Sequence, residues 1–119
     1  MKEFMLLIRS EEEPKASFSP EQMQNHIEKV GGFIKRLTDE GRMKSAQPLE
    51  MEGKILSYRN GQIIDGPFNE TKEVISGYYH LMANDLKEAI EIAKGDPRFE
   101  EGIWRMEVRP IRKVEGINE

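Results

Sequence analysis

The sequence predicts an α+β sandwich of ferredoxin-like type, a sheet with two helices on one face plus an extra β-hairpin. Three observations predict it. The apolar spacing switches between a repeat of two and a helical repeat, in the order β-α-β-β-β-α-β. Each helical stretch gathers its apolar residues on one face. The strands carry a clean apolar set on one side and a mixed set on the other. A chain of 119 residues is one domain by length. At this size a domain buries roughly two-thirds of its unfolded surface, enough for a core.

The first strand is expected over residues 3–9, with Phe4, Leu6 and Ile8 on one side and Met5, Leu7 and Arg9 on the other. The polar run from Ser10 to Lys15, with Pro14, reads as a loop, its triplet Glu11-Glu12-Glu13 solvated. Ser19-Pro20-Glu21-Gln22 opens a helix: Ser19 is a good N-cap, Pro20 suits the first helical position, and Gln22 completes a capping box. Met23, Ile27, Val30, Ile34 and Leu37 form its apolar face, which puts His26 at the surface. Gly31 and Gly32 each weaken this helix by ~1 kcal/mol relative to alanine, and Gly41 stops it.

Residues 43–51 and 54–65 are strand-like, with turns at Glu52-Gly53 and Asn60-Gly61. Asn-Gly accepts positive φ at both central positions and favours a tight hairpin. A strand over 74–82 puts Ile75, Gly77, Tyr79 and Leu81 on one side, and Ser76, Tyr78, His80 and Met82 on the other. Asn84-Asp85 caps a second helix, in which Leu86, Ala89, Ile90 and Ala93 share a face; Gly95 stops it and Pro97 bars continuation. The last strand, 103–111, separates Trp104, Met106 and Val108 from Arg105, Glu107 and Arg109. The domain is expected to end at residue 111, with 112–119 a frayed tail.

The second side of these strands mixes Met5, Leu7, Tyr78 and Met82 with His80, Arg105 and Glu107. A solvated face does not favour the first set, and a dry core does not favour unpaired charges of the second. A semi-enclosed polar cavity accommodates both. Two copies meeting sheet to sheet build one, so a homodimer is expected.

Composition excludes several functions. There are no cysteines, hence no disulfide, thiolate nucleophile or iron–sulfur cluster. Two histidines without cysteine leave only carboxylates to complete a metal site. No Gly-rich phosphate loop follows a strand and no serine sits in a nucleophile elbow, so no cofactor is expected. A net charge of −4 argues against direct nucleic-acid binding. The longest apolar run, Phe4 to Ile8, is too short to span a bilayer. A cytoplasmic protein without membrane contact is the expectation.

Asp65-Gly66-Pro67-Phe68 is the most distinctive stretch. Gly66 permits conformations closed to other residues, Pro67 stiffens the turn, and Phe68 can anchor it. Asp65 either bonds the backbone of its own turn or presents a positioned carboxylate. His80 is either satisfied within the sheet or paired with Asp65 as an acid–base couple. Glu70 and Lys72 line a pocket mouth or pair on the surface. Arg109 holds an anionic substrate group or closes an ion pair across the dimer. Tyr78 shares the face of His80 and belongs to the same candidate substrate site.

These stretches resemble the YCII-related family, specifically its DGPF subgroup. The resemblance rests on Met5-Leu6-Leu7-Ile8, Ser19-Pro20-Glu21, and Asp65-Gly66-Pro67-Phe68 with Glu70-Thr71-Lys72-Glu73 after it. Gly77-Tyr78-Tyr79 and Glu107-Val108-Arg109-Pro110 extend it, in order, over residues 1–111. It implies a dimeric α+β barrel of ferredoxin-like subunits and a small pocket between sheet and loops, with Asp65 as acid or base. The wider family implies catalysis through a His–Asp pair, whose histidine His26 and His80 do not clearly match. The subgroup also resembles proteins encoded or fused with alternative sigma factors. Two functional classes follow: a small-molecule binder or acid–base enzyme, and a non-catalytic module tied to transcription control. An enclosed pocket containing Asp65 favours the first, an exposed apolar patch outside the dimer contact the second.

Overall fold

A computed structural model describes residues 1–10, 18–66 and 74–119 of the chain. In order, the elements are β1 (Lys2–Ser10), α1 (Pro20–Asp39), β2 (Met43–Pro48), β3 (Ile55–Arg59), β4 (Gln62–Gly66), β5 (Val74–Ala83), α2 (Leu86–Lys94), a 3-10 turn (Pro97–Glu101) and β6 (Trp104–Pro110). Four strands make an antiparallel sheet in the order β2-β5-β1-β6, while β3 and β4 pair as a separate two-stranded sheet. This is the expected ferredoxin-like arrangement with its added hairpin. Within one chain the sheet stays open, with β2 and β6 as its edges.

The expected division of the strands holds. Phe4, Leu6, Ile8, Tyr79 and Leu81 are fully buried under the helices, and Phe33, Leu37, Ala89, Ala93 and Trp104 pack onto them. The side chains between them on β1 and β5 are half-buried on the opposite face. Gly77 has a steric reason: a Cβ there would sit 2.8 Å from the Gln47 carbonyl oxygen on the neighbouring strand.

Local signals fix the element ends. The Ser19 hydroxyl accepts the Gln22 N–H at 3.1 Å and the Gln22 side chain accepts the Ser19 N–H at 2.8 Å. Such a cap contributes about 1 kcal/mol. The Asp85 carboxylate accepts the Glu88 N–H at 2.8 Å at the head of α2. Asn60 and Gly61 take φ of 50° and 78°, as a tight hairpin turn requires.

Four expectations are corrected. The buried face of α1 runs through Val30, Phe33 and Leu37; Ile27 is 55% exposed, and His26 turns inward with a side chain only 12% exposed. The aromatic Phe33 takes the place against the sheet and rotates the helix relative to the aliphatic reading. Gly66 ends β4 in extended conformation paired with Ile55, so its φ needs no glycine. Strand β2 stops at Pro48 rather than running to residue 51. The tail is ordered: the Ile111 N–H donates to the Glu3 carbonyl, and Asn118 receives the Val114 N–H while donating to the Arg112 carbonyl. Pro67, Phe68, Glu70 and Lys72, like the acidic triplet, lie outside the described residues. Among the described residues no helix is long and apolar enough to cross a membrane.

Candidate functional site

A cleft opens where α1 leans over the sheet beside β2 and the 3-10 turn. It holds two adjoining cavities of about 180 and 290 Å³, both lined by Met23, His26, Pro48 and Arg98. The first adds Ile8, Leu49, Met51 and Trp104 to its wall. These volumes are at or below the low end for ligand pockets, about 300–1,000 Å³, and suit a small ligand.

Its polar groups come from three elements. His26 lies on the inward face of α1, one turn before Val30. Its Nδ1 sits 2.7 and 2.8 Å from the two carboxylate oxygens of Glu101, at the end of the 3-10 turn. An ionised carboxylate only accepts, so Nδ1 carries the hydrogen; in the neutral ring Nε2 then keeps the lone pair. The Trp104 indole N–H donates to the same Glu101 at 2.6 Å, and its ring stacks on the imidazole at 5.9 Å. The Phe18 ring lies tilted to the imidazole, its centre 5.7 Å away. The imidazole is therefore held in both position and tautomer.

Arg98 forms the floor. Asp96 caps the 3-10 turn by accepting the Arg98 N–H at 2.9 Å, which brings the Arg98 side chain back over the sheet. The guanidinium lies between the Tyr79 and Trp104 rings, 5.4 and 5.5 Å from their centres. Its Nη1 contacts the Tyr79 hydroxyl and lies 3.3 Å from Asp96. The Tyr79 hydroxyl donates to Asp96 at 3.0 Å. Burial, reinforced by Asp96 and opposed by Arg98, pushes this hydroxyl far above the ordinary tyrosine range, so it stays neutral. The Arg98 Nε is buried without a hydrogen-bond partner among the described residues. An unmet buried donor costs about 1–3 kcal/mol.

The open face of the sheet carries a second polar group. Glu3 receives His80 Nε2 at 2.7 Å and Lys44 at 3.2 Å, and also pairs with Lys113 from the tail. Lys113 first, then Lys44 and His80, pull the Glu3 carboxyl down to about 2, against the opposing effect of desolvation. Two rows cross this face: His80–Met5–Arg109 and Tyr78–Leu7–Glu107. His80 and Arg109 are thus two strand spacings apart, about 10 Å. Arg9 and Arg109 both address Glu107, at 3.0 and 3.7 Å.

The sequence-predicted residues divide accordingly. His80, Tyr78 and Arg109 share the open face, with Glu3 as the carboxylate on His80. Asp65 lies on the separate hairpin, exposed. Glu70 and Lys72 fall outside the described residues. Sequence reading missed His26, Glu101, Arg98 and Asp96 as a group. A usable signal existed in the spacing 26, 30, 33, 37, which is helical when Phe33 rather than Ile34 is taken as the core residue.

Comparison with known proteins follows the same lines. The YCII-related domain matches residues 3–114. No curated protein matches the chain. A solved structure, 5-chloro-2-hydroxyhydroquinone dehydrochlorinase (TftG) from Burkholderia phenoliruptrix AC1100 in complex with 2,5-dihydroxybenzoquinone, superposes with a TM-score of 0.51. It is 14% identical, and the superposition covers 98% of this chain and 99% of that one. At that identity the likeness concerns the fold.

Proposed function

This chain belongs to the YCII-related domain family, and from that premise we propose that it binds a small molecule and performs acid–base chemistry on it in the cleft around His26. The observation that carries this is the His26–Glu101 contact at 2.7 Å beside a cavity. A neutral histidine whose Nδ1 donates to a carboxylate has Nε2 available as a base. The same fold in TftG hosts an enzyme complexed with a small molecule, which supports a ligand of this scale.

Asp65 and His80 are the competing location. Two open faces brought together would enclose His80, Tyr78 and Arg109 in a shared chamber, and the half-buried Met5, Leu7 and Met82 support such pairing. A thermal-shift screen against metabolites separates the two. A ligand at a hundred times its Kd stabilises by ~2.7 kcal/mol. The expected hit loses its shift in His26→Gln and keeps it in Asp65→Asn. The reverse pattern moves the site to the hairpin and open face.

A second reading, a module that contacts a regulatory protein, has one observation in its favour. The hairpin exposes Leu56, Tyr58 and Ile63 at 67, 72 and 74%. Apolar groups concentrated on one projecting element mark contact surfaces.

A further inference from the structure

The hairpin β3–β4 and the open face of the sheet are two uncovered surfaces of one chain, and their chemistry is complementary. Opposed residues of an antiparallel pair share a side, so Leu56 with Asp65 and Tyr58 with Ile63 form one side of the hairpin. Its three apolar side chains are largely exposed. Two strands alone are marginally stable in water, so a hairpin of this composition gains by being covered. Asp65 is the one charged strand residue on that side, and it is exposed.

On the open face Met5, Leu7, Tyr78 and Met82 are half-buried. Its charges lean positive toward the Glu3 end. Arg9 bonds Glu107 at 3.0 Å, and Lys44 and Lys113 share Glu3. Arg109, with a side chain 69% exposed, stands 3.7 Å from the Glu107 carboxylate that Arg9 already holds. Two such faces pressed directly together bring like charge to like charge. A carboxylate carried on an apolar strand pair answers both the charge and the apolar surface.

We propose that in a dimer of this chain each hairpin lies across the open face of the other copy and sets its Asp65 against the partner's Arg109. The area suffices. Leu56, Tyr58 and Ile63 together expose about 400 Å², at roughly 190 Å² for each large side chain when free. A contact withdraws a similar area from each copy and two-fold symmetry makes the contact twice, roughly 1,600 Å² in all, the size of a stable interface. The chamber over Tyr78, His80 and Arg109 is then walled in part by the partner's hairpin, and one copy alone does not complete it.

Charge reversal tests the contact between copies. Asp65→Arg alone and Arg109→Asp alone each set like charges together at both contacts of a dimer. Sedimentation should then show the dimer Kd raised about a hundredfold, tenfold per contact. Mixed one to one, the two variants regain an Asp–Arg pair at each contact, and the dimer should return to within about threefold of the wild-type Kd. Circular dichroism checks that each variant is folded. The chain has no cysteine, which allows a second measurement without reversed charge. A short bismaleimide should join Asp65→Cys on one copy to Arg109→Cys on another more than it joins either variant to itself. Recovery on mixing, with that cross-link, sustains the inference. Single variants that dimerise like wild type overturn it and assign the dimer to other surfaces. A mixture that stays dissociated overturns it too, since Asp65 and Arg109 then do not meet across copies. A wild-type monomer at every concentration overturns it and leaves the hairpin to a different protein.

Discussion

Glu3 shows how one residue ties distant parts of the chain together. It sits on the first strand, yet it binds His80 on β5, Lys44 on β2 and Lys113 in the tail. Its folded pKa of about 2 lies below the ordinary value of 4.5. Between these values the unfolded chain binds the extra proton, so stability rises with pH across that window. The contribution is complete above about 4.5 and is lost as pH falls through about 2. Denaturant unfolding of wild type and Glu3→Gln at a series of pH values should therefore converge at the acid end and separate above it. Parallel curves across the whole range would mean that Glu3 does not hold the tail through its charge. Neither this hub nor the Arg98 cluster was legible at single positions: the partners of Glu3 lie far along the chain, and the local Asp96–Arg98 pair is completed by Tyr79 from β5. The His26–Glu101 pair is separated by 75 positions.

At the scale of elements the sequence was far more informative. Ser19 and Gln22 announced the head of α1 because a capping box needs only four consecutive residues. Asn60-Gly61 announced the hairpin because few other pairs accept positive φ twice. The rotation of α1 was not announced, since Ile27 and Phe33 compete for the same role and only the sheet beneath decides between them. The hairpin carries its own prediction. Leu56 and Ile63 are largely exposed, so Leu56→Ser with Ile63→Ser should change the stability of the isolated chain by no more than about 0.5 kcal/mol per site. Association, whether with a second copy or another protein, should weaken markedly. Denaturant melts beside sedimentation would test both halves, and undiminished association would remove the hairpin from any contact surface.

The whole molecule is a slab. Its extents are 47 × 42 × 19 Å, and its radius of gyration of 16.4 Å exceeds the roughly 13–14 Å of a compact chain this long. One side of the sheet is covered by helices and the other is left with half-buried methionine, leucine and tyrosine side chains among ion pairs. A surface of that kind gains by being covered, because apolar area withdrawn from water contributes roughly 25 cal/mol per Å². Sedimentation equilibrium at micromolar concentration is expected to give a dimer. A monomer at every concentration tested would leave His80, Tyr78 and Arg109 on an open surface and withdraw the shared chamber.

By itself the sequence determined the element order, the caps and turns, and which side of each central strand enters the core. Those features are encoded within a few residues, through backbone sterics and a fixed repeat of side-chain direction. The tertiary structure decided which helix face turns inward, that His26 meets Glu101 and Trp104, and that Glu3 rather than Asp65 is the carboxylate on His80. Such pairings depend on how separate elements pack, and packing is settled by summed contacts over the whole core rather than by any local run of residues.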